Sequence, residues 1–143
     1  MKKTILSFGF FLLIGAAFAQ IENPVKWMYS AKKTGNKTYE LHMTANLDNK
    51  WHIYAQDAGE GPEPTSFSFS KNPLVKLDGK VAEIGKLEKT YDPNFKSTLK
   101  YYSTTVDFVQ KITLKSAATT VIKGTVSYMV CDDHKCLPPK EIP

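Results

Sequence analysis

The sequence predicts an all-β domain, an immunoglobulin-like sandwich of antiparallel sheets, and three observations carry that expectation. Apolar and polar residues alternate with period two through Thr38 to Asn46 and Thr105 to Leu114, as in strands with one buried face. Turn-forming pairs (Gly35-Asn36, Asp48-Asn49, Asn72-Pro73, Asp78-Gly79) punctuate the chain at roughly regular spacing. Nothing from Gln20 to Ile84 reads as a helix, and the remainder reads as strand and turn. Seven to nine short strands result, which suits two packed antiparallel sheets.

The chain begins with a segment of a different kind. Met1-Lys2-Lys3, the apolar run Ile5 to Phe18, and Ala17-Phe18-Ala19 before Gln20 form the three parts of a secretory signal. The apolar run is shorter than the ~20 residues of a membrane span. No cysteine stands at the cleavage point to take a lipid. The expected organisation is a leader over residues 1–19 and one domain over residues 20–143, with no membrane span in the mature chain. Without the leader 124 residues remain, enough for one core, and two of 19 lysines go, so the formal charge falls from +5 to +3. Arginine, the bidentate donor to phosphates and bases, is absent, and the lysines are dispersed among 14 acidic residues. A solvated surface follows, and nucleic acid is not an expected partner.

Taken in order, Val25 to Ser30 follows a short lead-in through Pro24. Thr38 to Asn46 places Tyr39, Leu41, Met43 and Ala45 on one face and Glu40, His42 and Thr44 on the other. Lys50 to Ala55 is the next strand, and the two are expected to form a hairpin across Asp48-Asn49. Asp57 to Pro64 is a loop, because its glycines and prolines interrupt helix and sheet alike. Thr65 to Ser70 alternates aromatic and hydroxyl residues. Leu74 to Leu77 ends at an expected turn, Asp78-Gly79, before a short strand through Val81 and Ile84. Lys86 to Tyr91 leads into a loop, Asp92 to Lys96. Leu99 to Tyr102 and Thr105 to Leu114 are strands, and Val121 to Cys131 is the last long one. In it Ile122, Gly124, Val126, Tyr128 and Val130 share a face, with Ser127, Met129 and Cys131 on the other. Pro138-Pro139 lacks amide donors, so a return strand begins only after them, around Lys140. With the sequence ending at Pro143, the cysteine strand would lack a neighbour, and a further closing strand is expected.

The two cysteines, Cys131 and Cys136, flank Asp132-Asp133-His134-Lys135, a polar, turn-prone segment that lets two thiols meet in one disulfide. A bridge closing about six residues stabilises by roughly 2 kcal/mol, against about 4 to 5 for a loop near 100 residues. It is a weak staple, which favours a switchable pair over a structural one. A non-catalytic binding module with a structural bridge is the alternative. A metal site built from Cys131, His134, Cys136 and a carboxylate is a third, disfavoured because no second ligand pair is present.

The segment Val130-Cys131-Asp132-Asp133-His134-Lys135-Cys136-Leu137-Pro138-Pro139 resembles the active-site segment of the N-terminal periplasmic domain of the transmembrane thiol–disulfide reductase DsbD, in the form common in Bacteroidetes-type bacteria. Trp51-His52-Ile53-Tyr54, Gly61-Pro62-Glu63-Pro64-Thr65-Ser66-Phe67 and Tyr91-Asp92-Pro93-Asn94-Phe95 support the resemblance, which covers most of the mature chain. It implies a periplasmic sandwich that relays electrons through Cys131 and Cys136, a protein-disulfide reductase component also associated with cytochrome c biogenesis. The partners implied are thioredoxin-like periplasmic proteins and an inner-membrane DsbD-type reductase, with no cofactor and no metal. Phe95, with Asp92 nearby, matches a cap loop whose aromatic ring shields the cysteines. His52 and Tyr54 match residues beside them, and Cys136 matches the cysteine that forms the mixed disulfide. Two features depart from the family: the cysteine spacing is one residue shorter than in the best-known proteobacterial form, and the membrane and thioredoxin-like domains are missing.

Simpler roles stand beside these. His42 reads as a solvent-facing strand residue, His52 as a packing or hydrogen-bonding one, Phe95 as a core aromatic at a loop end, and Trp27 and Trp51 as core. Lys135 and a protonated His134 favour a thiolate, while Asp132 and Asp133 oppose it.

Overall fold

The two long alternating stretches build the larger sheet. β2 (Thr38–Leu47) and β8 (Thr105–Leu114) pair antiparallel, with Met43 opposite Phe108 and Ala45 opposite Val106. These four side chains are buried. β1 (Val25–Lys33) lies outside β2 and β5 (Val75–Gly85) outside β8, giving the order β1-β2-β8-β5. The computed structural model describes residues 22–93 and 95–143, so the expected leader over residues 1–19 lies outside the described residues.

A second sheet, ordered β10-β3-β7-β6, is made by β3 (His52–Tyr54), β6 (Glu88–Asp92), β7 (Ser97–Tyr102) and β10 (Val130–Cys131). A third, ordered β11-β9-β4, comprises β4 (Ser66–Phe69), β9 (Gly124–Tyr128) and β11 (Lys140–Ile142). Every pairing is antiparallel. All three sheets feed one core. Met43, Ala45, Val106 and Phe108 come from the first, Ile53, Tyr102 and Val130 from the second, and Val126 and Tyr128 from the third. Phe108 is fully buried, with its ring 4.9 Å from Phe67 and 6.0 Å from Trp27. The described residues contain no helix, and the expected all-β sandwich is what forms.

Several local expectations are corrected. β2 does not form a hairpin with β3: the two belong to different sheets, and the hairpin partner of β2 is β1, from Val25 opposite Leu47 to Lys33 opposite Tyr39. The chain leaves the first layer at Asp48, whose N–H donates to Pro24 O (2.8 Å), so Asp48-Asn49 is a crossing between layers. The Asp78-Gly79 turn is instead a bulge inside one long strand, where the register slips between Asp78 and Ala82. Gly79 takes φ +73° there, a conformation that favours glycine. Buried Gln110 supports the bulge, its Nε2 donating to Asp78 O at 3.3 Å and Lys111 O at 2.7 Å. The connection after Lys86 contains an edge strand, β6, whose residues are mostly exposed and so lack alternation. The last long strand divides at Met129, because β9 pairs with β4 while β10 pairs with β3. The return strand begins at Lys140 and pairs with β9, giving that strand a neighbour on its open side. His42 does not face solvent freely. Its ring is half-buried on the outer face, Nδ1 2.7 Å from Asp107.

Candidate active site

The division at Met129 carries the strand from one cluster to another. Val126, Tyr128 and Val130 point into the main core, whereas Cys131 enters a smaller cluster with Tyr54, Ala58 and Leu99, flanked by Tyr101 and Met129. The expected opposition of the two strand faces therefore holds, and its consequence is burial: Cys131 is only 2% exposed.

After Cys131 the chain reverses. Asp132 N–H donates to Lys135 O at 2.8 Å and Leu137 N–H to Val130 O at 2.9 Å, which leaves Cys131 and Cys136 as the facing pair between them, Cα atoms 4.0 Å apart. Facing residues of this kind approach most closely in antiparallel pairs. The two sulfurs are joined in a disulfide, and Cys136, unlike Cys131, is exposed.

The Asp132 carboxylate caps the turn by accepting the N–H groups of His134 (2.7 Å) and Lys135 (2.8 Å). Those two bonds hold its carboxyl below the usual carboxylate range. The Lys135 ammonium pairs with Glu22 at 2.6 Å and lies 5.9 Å over the Trp51 ring. Of the four groups expected to compete over the thiolate, Asp132 and Lys135 are thus engaged elsewhere.

The group that does reach Cys131 is a phenol. β3 runs beside β10 with His52 opposite Cys131, and two residues on, Tyr54 Oη donates to Cys131 Sγ at 3.3 Å. His52 Nε2 lies 3.4 Å from the same oxygen, and its ring packs 4.5 Å from Tyr101. Burial pushes the Tyr54 phenol up, with the charge of Asp92 adding to the effect. Burial pushes the His52 imidazole down, partly opposed by Asp133, Glu88 and Asp132.

The expected supporting residues divide into two groups. His52, Tyr54 and Cys131 form one connected line. Asp92 ends β6 and Phe95 lies in the loop that follows, where Phe95 N–H donates to Asp92 Oδ1 at 3.3 Å. Phe95 is 39% exposed, not core, and its ring rests on Gly61, where an added Cβ would fall 2.1 Å from Phe95 Cδ1. Glu60 N–H donates to Ser97 Oγ at 2.9 Å, so loop 57–64 is tied to the first residue of β7. Asn94 lies outside the described residues. Leu99, Tyr101 and Ala58 join the site without being among the residues expected there. The alternation of Leu99 and Tyr101 along β7 marks them as sharing a face. Ala58, inside a glycine- and proline-rich loop, gives no such signal.

Among the described residues, no group of three or more His, Cys, Asp or Glu side chains is arranged to hold a metal ion. No described helix is long and apolar enough to cross a membrane.

A family described as thiol:disulfide interchange protein DsbD, N-terminal, matches residues 19–142, nearly the whole chain. No curated protein matches it.

Proposed function

Because the chain belongs to the family of DsbD N-terminal domains, we propose that it is an exported thiol–disulfide exchange domain of the periplasm, carrying electrons from an inner-membrane DsbD-type reductase to thioredoxin-like exported proteins. The observation that carries this reading is the unequal setting of one disulfide, Cys136 exposed and Cys131 buried beneath Tyr54. Thiol exchange needs one sulfur that a partner reaches and a second that resolves the mixed disulfide from within. In the reduced domain the Cys136 thiolate attacks a partner disulfide and displaces one partner sulfur. Cys131 then attacks Cys136, and the partner leaves as a dithiol. A reductase restores the pair by the reverse sequence. Phe95, in the loop after β6, and Asp92, whose charge acts on Tyr54, are the residues assigned to shielding the pair, and His52 and Tyr54 support Cys131.

The test is electron transfer to a thioredoxin-like acceptor together with the reduction potential of the pair. A potential of about −180 to −270 mV is expected of an exchanging pair, and one below about −300 mV would mark a structural bridge instead. Cys136→Ser should abolish transfer, and Cys131→Ser should stop it at the mixed disulfide. Unchanged transfer in both variants would overturn the reading.

A further inference from the structure

His52 Nε2, Tyr54 Oη and Cys131 Sγ form an unbroken line of hydrogen-bonding atoms, spaced 3.4 Å and 3.3 Å, that ends on the buried sulfur. Breaking the disulfide at Cys136 leaves the electron pair on that sulfur. A thiolate formed in a buried, largely apolar cluster is costly unless it is protonated or paired. The nearest ammonium in the turn, Lys135, is already engaged by Glu22. Tyr54, by contrast, already directs its O–H at Sγ.

We propose that Tyr54 is the acid–base group for Cys131 and that His52, which reaches the sulfur only through Tyr54, is the positioning residue that reloads it. The proposal rests on the exchange reading above and adds the route of the proton.

When an external dithiol reduces the pair, its thiolate attacks Cys136 Sγ. The bond from Cys136 to the incoming sulfur forms as the Cys131–Cys136 bond breaks, and the electron pair stays on Cys131 Sγ. Tyr54 Oη gives its proton to that sulfur and takes the Nε2 proton of His52, whose Nδ1 takes one from water. The second thiolate of the reductant then attacks its own mixed disulfide, releasing Cys136 as a thiolate and leaving the reductant as a disulfide. Two electrons have passed to the pair, and one proton has reached Cys131 along the line. When the reduced domain donates electrons, the same line removes the proton from Cys131 as it attacks Cys136.

The surroundings of His52 suit this task. Tyr54 and Tyr101 face the ring, and the negative charges of Asp133, Glu88 and Asp132 oppose the effect of its burial. Burial outweighs those charges and holds the ring below the ordinary histidine range, so at neutral pH it is uncharged, with one ring N–H to give and one ring nitrogen to accept.

The experiment follows reduction of the oxidised full domain by dithiothreitol with thiol trapping between about pH 5 and pH 8, in wild type, Tyr54→Phe and His52→Gln. Dividing each variant rate by the wild-type rate at the same pH cancels the ionisation of the reductant. Tyr54→Phe should be slower by about a hundredfold, the lower end of the range for a positioned acid or base. The wild-type rate relative to His52→Gln should rise as pH falls below the ordinary histidine value of 6.5, a bend that a purely structural role would not give. If Tyr54→Phe fails to fold, the His52→Gln profile decides alone. Rates of folded variants within twofold of wild type at every pH would overturn the proton line while leaving exchange through Cys136 intact. Failure of the exchange reading itself appears separately, as unchanged acceptor reduction by Cys136→Ser.

Discussion

Cys131 and Cys136 share one bond but not one environment: the first is 2% exposed and under the Tyr54 hydroxyl, the second lies at the surface. In the reduced single-cysteine variants, the Cys136 thiol of Cys131→Ser should react with Ellman's reagent at least about tenfold faster than the Cys131 thiol of Cys136→Ser, because access favours it. Equal rates would mean that the two thiols are equally accessible once the bridge is open.

Gly61 takes φ +125° and supports the Phe95 ring at a distance that excludes any side chain. Gly61→Ala should therefore lower stability by about 1 to 3 kcal/mol, through backbone strain and displacement of the ring. Thermal unfolding checks the loss. The shielding proposed for Phe95 is checked by the reaction rate of the oxidised pair with dithiothreitol, expected to rise when Phe95 is pushed aside.

Three carboxylates are held low by the fold. Lys100 lowers Asp57, Lys76 and Thr113 lower Asp78, and the backbone amides of the turn lower Asp132. A folded-state value below the unfolded one gives stability that is fully present above 3.8 and is lost as pH falls toward the folded values. The melting temperature should therefore hold between about pH 5 and pH 7 and decline below pH 4. Asp132→Asn should flatten part of that decline, and an unchanged acid limb in this variant would show that its turn contacts do not contribute.

Phe108 of β8 joins the layers through Phe67 of β4 and packs also on Trp27 of its own sheet. Phe108→Ala removes a fully buried ring, and a loss of about 3 to 5 kcal/mol is expected. Denaturant titration gives the value. A loss below about 1 kcal/mol would mean that the sheets close over the gap.

Strand identity was legible wherever one face is buried, as in β2 and β8, because burial imposes the period-two pattern. It was illegible in β6, which is exposed on most of its length, and in the bulge at Gly79, where the same two residues serve equally as a turn. Strand pairing is harder to see. Asp48-Asn49 has the composition of a hairpin turn, yet the chain there passes between layers, a choice fixed by the Pro24 carbonyl and by β1 already lying beside β2. The cysteine turn was readable from six residues. The burial of Cys131 was not readable from the two strand faces, which set it only opposite Val126, Tyr128 and Val130, and its contact with Tyr54 followed from resemblance alone, since nothing local relates residues 77 positions apart.

That separation bears on how the protein matures. The thiols are 5 residues apart, so they meet in an unfolded chain at little cost in loop closure, and with two cysteines in all there is no wrong partner to choose. Tyr54 arrives from 77 residues away and only with the sheets, whose distant pairings make such folds assemble in milliseconds to seconds. A nascent molecule can therefore be oxidised before it has built the surroundings that govern its sulfur, so oxidation state is no measure of whether it has finished folding.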